Sequence, residues 1–135
     1  IFETRGNADC HIILRGGPQP NYSAADVAAA CGRLRAAGLR EQLMIDCSHA
    51  NSRKQPQRQL EVGADVAAQV AAGERRIMGL MIESHLHEGR QDIVPGQALR
   101  HGVSLTDACL GFEHTVPLLH ELAVAVRQRR TRSGG

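Results

Sequence analysis

Three side chains in this sequence, His49, Glu83 and Asp107, are of types that bind divalent metal ions. One imidazole and two carboxylates form a nitrogen and oxygen donor set, which suits a cation of the Mn, Fe, Co or Zn type. A metal held with open coordination positions polarises a carbonyl oxygen as a Lewis acid. Each residue also has a plainer interpretation. A histidine after a strand is often a hydrogen-bonded structural residue, and Asp107 also suits the first turn of a helix.

Arg15 is the candidate anion-binding residue. Gly16 and Gly17 follow it directly, so a guanidinium stands beside exposed backbone, a combination that suits a phosphate or a carboxylate. An arginine in an ordinary surface turn fits the same pattern equally well. His85 and His87 lie in a polar stretch, where we expect solvated side chains rather than metal ligands.

Short apolar runs precede three of these candidates. The runs are CHIIL before Arg15, LMI before the segment that contains His49, and IMGLMI before Glu83. The three residues follow one another at intervals of 34 residues, a length that fits one strand, one helix and two loops. A tetratricopeptide array also repeats at about 34 residues, but β-type runs followed by glycines favour βα units. Because ligands bind at the carboxyl ends of parallel strands, we expect the three residues at equivalent points of successive units.

The segments between the runs predict helices. Ser23 and Asp26 form a capping-box-like pattern, and Gly38 is a typical C-terminal stop. Gly63 inside the second helix predicts close packing against a neighbour, since glycine otherwise costs helix stability. The predicted strands cover about 10–14, 41–47 and 76–83. The predicted helices cover about 24–37, 56–72 and 115–130, with an irregular loop over 85–103, a short helical turn over 104–111 and a disordered tail over 131–135.

The composition is that of one small domain. The chain has 135 residues, a net charge of +2 and 2% aromatic residues, so its core must be aliphatic. The weak charge argues against nucleic acid as a partner, and no apolar run approaches the roughly 18 residues that span a membrane. Four cysteines without CxxC spacing, and no signal peptide, favour reduced thiols in a cytoplasmic protein. The start at Ile1 suggests a processed or partial product.

Four segments of the chain resemble a known family. They are GNADCHIILRGG with PNYS, MIDCSHANS, GLMIESHLHEG and SLTDACLGFEHT, and they resemble the C-terminal part of class I 3-deoxy-D-arabino-heptulosonate 7-phosphate (DAHP) synthase, of the aromatic-amino-acid-regulated bacterial type. The resemblance covers nearly the whole chain. It implies an α/β fold that is the C-terminal portion of a (β/α)8 TIM barrel, with three parallel strands and flanking helices. Residues 1–135 would then be one partial barrel domain.

The resemblance also implies a reaction and residue roles. By motif position, His49, Glu83 and Asp107 would be metal ligands, and Arg15 would hold the phosphate of phosphoenolpyruvate. That family condenses phosphoenolpyruvate with erythrose 4-phosphate, the first step of the shikimate pathway to the aromatic amino acids. The enol carbon attacks the aldehyde, water adds at the neighbouring carbon, and phosphate leaves. The implied enzyme is a transferase, 3-deoxy-7-phosphoheptulonate synthase, and we expect a homo-oligomer.

The chain also departs from the family pattern. The family's fourth metal ligand, a cysteine on the first barrel strand, and its Lys- and Arg-rich substrate motif have no counterpart here, and Cys47 does not occupy that cysteine's position. One hypothesis is therefore a part of a DAHP synthase that is inactive alone and pairs with a copy of itself. Another is a non-catalytic fragment that binds phosphate or metal weakly, or serves as an assembly surface. A related synthase using another aldose fits the SHANS and TDACLG segments poorly.

Overall fold

A computed structural model of the chain describes residues 1–7 and 9–132. Strands and helices alternate along the first part of the chain, and two short strands precede the last helix. In order, the elements are β1 (Ile12–Leu14), α1 (Ala24–Ala36), β2 (Leu43–Asp46), α2 (Arg58–Ala71), β3 (Ile77–Met81), β4 (Ser84–His85), β5 (Leu110–Gly111) and α3 (Phe112–Arg132).

The strands β1, β2 and β3 form one parallel sheet in chain order. Leu14 pairs with Ile45, and Ile45 pairs with Leu80, so the three strands end together at one edge. Parallel neighbours require a crossover connection, which α1 and α2 provide. This is the α/β arrangement of three parallel strands with flanking helices that the sequence predicts.

Helices cover one face of this sheet. Leu43, Ile45 and Ile77 point to that face and are buried in a cluster with apolar side chains of all three helices. The helical members of this cluster are Val27, Cys31, Val62, Val66, Ala67, Val70 and Ala125. The core is aliphatic, as the composition requires, and it holds the strand ends in fixed positions below the candidate site.

The opposite face of the sheet carries apolar side chains that remain accessible. Ile13 is 49% exposed and Met78 is 53% exposed. Alternation along β1 directs Ile13 away from the helix-covered face, because its neighbour Leu14 packs against the helix-side cluster. Met78 lies beside the irregularity in the register between β2 and β3. Within the described ranges, no helix combines the length and the apolar character needed to cross a membrane.

The helix predictions are close to the observed bounds. The capping box of Ser23 and Asp26 is present at the start of α1, and Gly38 has a φ of +68° just after the helix. The strands are shorter than predicted, although two residues beyond their ends, Cys47 and Arg76, still make backbone hydrogen bonds to the neighbouring strand. The last helix starts earlier, at Phe112, and extends through Thr131 and Arg132, the first two residues of the predicted tail. Residues 133–135 of that tail lie outside the described residues.

The short helical turn predicted over 104–111 is wrong. Ser104 instead forms an isolated bridge with Arg90, and Leu110 pairs with Ser84 in the small sheet of β4 and β5. The loop over 85–103 is therefore tied to the segment before α3 rather than independent of it. Hydrogen bonds between segments far apart in sequence replace the local ones that a helical turn would have used.

Gly63 lies where α2 meets α3. A β-carbon at this position would stand 2.7 Å from Leu118 Cδ1 and 2.9 Å from Leu118 Cδ2. Leu118 is itself buried, so its side chain has little room to move. The close packing predicted for Gly63 is confirmed.

This contact predicts opposite tolerances at two helical glycines. Gly63→Val should lower the free energy of unfolding by roughly 1–3 kcal/mol, because it overpacks the contact with Leu118. Gly32 in α1 has no atom within 4 Å of the point that a β-carbon would occupy, so Gly32→Val should stay within about 0.5 kcal/mol of the wild type. Urea unfolding of both variants measures the difference, and equal losses would contradict it.

Candidate metal and anion site

His49 lies on the turn that follows β2, and its main-chain conformation and hydrogen bonding fix its position. Its φ is 49°, in the left-handed region that non-glycine residues seldom adopt. Its carbonyl accepts a hydrogen bond from Lys54 N–H at 2.8 Å. Nδ1 lies 2.7 Å from Oδ2 of Asp46, which is buried at the end of β2. This contact leaves Nε2 free to act as a metal ligand, the usual arrangement for histidines supported by a carboxylate.

Glu83 follows β3 and places a carboxylate beside that ring nitrogen. Its Oε1 lies 3.7 Å from His49 Nε2, and its Oε2 accepts a hydrogen bond from the Ser48 hydroxyl at 2.6 Å. Its main chain is held by Gln59, whose amide donates to the Glu83 carbonyl and accepts from the Glu83 N–H. The backbone and one carboxylate oxygen of Glu83 are therefore both fixed.

Asp107 completes the group from the segment before β5. Its Oδ2 lies 3.8 Å from His49 Nε2, and one ligand atom from each of His49, Glu83 and Asp107 lies within 4.8 Å of the others. Metal bonds of about 2.1 Å place neighbouring ligand atoms roughly 3–4 Å apart. The donor set and its spacing therefore fit a divalent cation of the type predicted.

Arg15 stands at the other side of the same edge, directly after β1. Its side chain is 61% exposed, and its Nε lies 3.8 Å from Asp46 Oδ2. Gly16, with a φ of +77°, brings the backbone so close to the turn after β2 that a β-carbon would lie 2.8 Å from Asn51 N. This close approach positions the guanidinium beside the turn that carries His49.

Asn51 joins the two loops. Its amide donates to the carbonyls of Leu14 and Asp46, and its side-chain oxygen accepts from Asn21 N–H at 2.8 Å. The Asn21 side chain in turn accepts from Gly16 N–H. The ends of β1 and β2 are thus joined by hydrogen bonds that are buried or partly buried, and such bonds are stronger where water is excluded.

All four predicted residues line one cavity of about 710 Å³. His49, Glu83 and Asp107 supply its metal-type donors, and Arg15 is joined by two further cationic side chains, Lys54 and Arg90. The remaining lining residues are Gly16, Ser48, Ala50, Thr106 and Ala108. The cavity thus combines a possible cation site with a positively charged wall.

The predicted equivalence of Arg15, His49 and Glu83 along the strands is only approximate. The register aligns Leu14 with Ile45 and Leu80, so Arg15 is level with Asp46 rather than with His49. His49 reaches the site because the left-handed turn folds back over the end of β2. All three residues nevertheless emerge at the same edge of the sheet.

Sequence reasoning did not assign roles to Asp46, Ser48 and Gln59. Asp46 stands three residues before His49, a spacing that indicates contact only once the turn is known. For Ser48 and Asn51, the sequence fits added polar contacts at the site and an ordinary polar loop equally well. No local sequence pattern indicated a role for Gln59, because its contact with Glu83 joins residues that are 24 positions apart in the chain. His85 and His87 are exposed, as predicted.

Cys47 lies between Asp46 and Ser48 but faces the core. Burial raises the pKa of its thiol to about 12, and the nearby Asp46 carboxylate adds to the shift. The four cysteines are free thiols, and Cys10 is exposed. Because the thiolate is the reactive form, iodoacetamide at pH 8 should alkylate Cys10 and leave Cys47 unmodified in the folded chain. Peptide mass mapping checks this, and labelling of Cys47 as fast as Cys10 would contradict it.

A sequence profile described as the DAHP synthetase I family matches residues 2–120. The chain belongs to the DAHP synthetase I family. Its curated relatives include the Phe-sensitive phospho-2-dehydro-3-deoxyheptonate aldolase of Escherichia coli K12, 56% identical over 130 residues. The phospho-2-dehydro-3-deoxyheptonate aldolase of Haemophilus influenzae is 52% identical over 131 residues. A Trp-sensitive aldolase of the same name from Enterobacter agglomerans is 51% identical over 129 residues.

These alignments cover 96% of this chain but only 36–37% of each relative. The chain therefore spans about 37% of the length of the DAHP synthetase I family members that it matches. The structure of phospho-2-dehydro-3-deoxyheptonate aldolase from Francisella tularensis superposes with a TM-score of 0.89 at 44% identity, over 95% of this chain and 37% of that one. The fold is accordingly the C-terminal portion of a (β/α)8 barrel of this family.

Proposed function

We propose that this chain forms the metal-binding and phosphate-binding end of a DAHP synthase, which condenses phosphoenolpyruvate with erythrose 4-phosphate. One observation carries the proposal. Ligand atoms of His49, Glu83 and Asp107 lie within 4.8 Å of one another in a cavity that Arg15 also lines. Membership of the DAHP synthetase I family supports the choice of reaction.

The residues suit the charges that this reaction handles. When bound, a divalent metal supplies a Lewis acid for the aldehyde oxygen of erythrose 4-phosphate. His49, Glu83 and Asp107 hold the cation, and Asp46 keeps the His49 ring in the orientation that presents Nε2. Arg15 binds the phosphate of phosphoenolpyruvate, since a guanidinium matches phosphate geometry with two parallel hydrogen bonds. That phosphate leaves after water adds to the carbon of phosphoenolpyruvate that carries it.

The exposed sheet face supports the second part of the proposal, that the chain alone is inactive. The apolar side chains of Ile13 and Met78 are exposed, and no described residue of this chain buries them. We propose that residues 1–135 act as one partial barrel domain within a homo-oligomeric, cytoplasmic parent. The four free thiols suit a reducing compartment.

A chimera tests the proposed function. This chain would replace the corresponding 37% of the Escherichia coli Phe-sensitive relative, and phosphate release from phosphoenolpyruvate would be followed with and without erythrose 4-phosphate in the presence of Mn²⁺. We expect aldehyde-dependent phosphate release from the chimera and none from the 135-residue chain. A chimera that folds but releases no phosphate would overturn the proposal.

Two variants of the chimera separate the assigned roles. Arg15→Ala should raise the KM for phosphoenolpyruvate, because it removes a phosphate contact. Arg53→Ala is the matched control, since Arg53 is also an exposed arginine and does not line the cavity. Equal effects of the two changes would argue against the role of Arg15.

The exposed apolar face also favours a second candidate, an assembly surface without catalysis. Ile13 and Met78 would then bury their side chains against a second copy of the chain. Light scattering during size-exclusion chromatography distinguishes the cases. A dimer that Ile13→Lys dissociates, together with an inactive chimera, would favour the assembly role.

A further inference from the structure

Ser48 connects the two sides of the candidate metal site. Its hydroxyl donates to Glu83 Oε2 at 2.6 Å, and its main-chain N–H donates to Asp46 Oδ1 at 2.8 Å. Ser48 is only 4% exposed, so water does not compete effectively for these bonds. A short hydrogen bond from a hydroxyl to a carboxylate is among the stronger hydrogen bonds in proteins.

Glu83 has little freedom to escape this contact. The buried Gln59 side chain accepts from Glu83 N–H at 2.8 Å and donates to the Glu83 carbonyl at 3.0 Å. With the main chain fixed and Oε2 engaged by Ser48, the free oxygen is Oε1, which lies 3.7 Å from His49 Nε2. The carboxylate therefore presents one oxygen to the cation position.

We propose that Ser48 is a positioning residue that makes Glu83 a one-oxygen ligand of the metal. The inference rests on the proposed metal site and concerns how that site is built. A carboxylate binds a metal through one oxygen or through both, and the Ser48 hydroxyl occupies the oxygen that a two-oxygen mode would need. Loss of the hydroxyl frees Oε2.

One-oxygen binding has a consequence for metal choice. Each carboxylate oxygen that stays off the metal leaves a coordination position open for water or substrate. One-oxygen binding also disfavours Ca²⁺, which takes six to eight oxygen ligands and often binds both oxygens of a carboxylate. Ser48 thus helps to keep the site suited to smaller cations that accept a mixed nitrogen and oxygen donor set.

Mn²⁺ added to the purified 135-residue chain is the probe for this inference. Ser48→Ala should weaken Mn²⁺ binding about 10-fold by calorimetry, the lower end of the losses seen when a hydrogen-bond partner of a metal ligand is removed. Infrared difference spectra of the metal-loaded and metal-free chain report the binding mode directly. The asymmetric and symmetric carboxylate stretches are widely separated in one-oxygen binding and closer together in two-oxygen binding. We expect a wide separation in the wild type and a narrower one in Ser48→Ala.

Control variants isolate the hydroxyl of Ser48. Ser52 is equally buried, and its hydroxyl donates to the His49 carbonyl at 3.2 Å rather than to a carboxylate. Ser52→Ala should therefore keep the wild-type infrared spectrum. Ser48→Thr retains a hydroxyl and should restore both affinity and spectrum. Ser48→Cys fills the space of the hydroxyl with a larger atom that is a weaker donor, and it replaces Ser48→Ala if circular dichroism shows that the alanine variant is unfolded.

The outcomes separate this inference from the proposed function. A wild-type chain that binds Mn²⁺ and a Ser48→Ala variant with the same affinity and the same carboxylate bands would overturn the role of Ser48 while leaving the metal site standing. A folded wild-type chain that takes up no Mn²⁺ would remove the metal site, and the inference with it. Glu83→Gln assigns the bands, because the Glu83 carboxylate bands must vanish in that variant.

Discussion

His49→Ala should weaken Mn²⁺ binding by more than about 100-fold, a larger loss than the 10- to 100-fold expected on removing a residue that only supports a ligand. The reason is geometric. His49 Nε2 lies close to both carboxylates, at 3.7 Å from Glu83 and 3.8 Å from Asp107. Without it, two partly exposed carboxylates remain, and such pairs bind transition metals weakly. Calorimetric titration of the chain with Mn²⁺ measures the loss.

His85→Ala is the matched control for this change. His85 is exposed, and its Nδ1 accepts a hydrogen bond from Leu86 N–H without contacting the cavity. Its replacement should leave the Mn²⁺ affinity unchanged. Asp46→Asn should give an intermediate loss, because the His49 ring keeps its place but loses the carboxylate at Nδ1. Binding by His49→Ala within tenfold of the wild type would contradict the site.

Gly16→Ala should lower the free energy of unfolding by about 3 kcal/mol, which combines two costs. The left-handed φ of +77° is unfavourable for any residue with a β-carbon. That β-carbon would also lie 2.8 Å from Asn51 N and 2.9 Å from Ala50 C, which are backbone atoms that cannot rotate away. We expect Arg15 to shift from its place beside Asp46 as the two loops move apart. Urea unfolding measures the stability loss.

Gly38→Ala separates the two costs. Gly38 has a similar φ of +68°, but its β-carbon would have no atom within 4 Å. Its replacement should therefore cost about 1 kcal/mol, from the backbone alone. The excess at Gly16 measures the cost of its contact with the turn after β2. If both variants lose the same stability, the contact contributes nothing.

Local signals explain the parts of the fold that the sequence predicted well. The capping box of Ser23 and Asp26 involves residues three apart, and the apolar runs of β2 and β3 are visible as continuous letters. The error at residues 104–111 has a different origin. Leu110 pairs with Ser84 through a two-residue strand, and such a short non-local pairing leaves no periodic pattern to read. Ser104 and Asp107 instead resemble the start of a helix.

In the candidate site too, features with a local sequence signal could be predicted, and features that depend on contacts across the folded chain could not. His49 and Glu83 follow apolar runs, so their position at a strand edge could be predicted. The left-handed backbone of His49 could not, because a single histidine is a much weaker signal for such a conformation than a glycine. The support from Ser48 and Gln59 depends on bonds to Glu83 across the folded chain. Resemblance to the family suggested the candidate ligands, but only the structure shows which residues contact and orient them.

Asp46 contacts both the candidate metal site and the candidate anion site. Its Oδ2 lies between His49 Nδ1, at 2.7 Å, and Arg15 Nε, at 3.8 Å, so one negative charge is shared by the imidazole and the guanidinium. Whatever draws that charge toward the imidazole leaves the guanidinium readier to accept an incoming anion. If a cation and an anion both bind in this cavity, the factor by which the cation changes the anion affinity must equal the factor by which the anion changes the cation affinity. The order in which the two arrive then leaves the affinity of the fully occupied cavity unchanged.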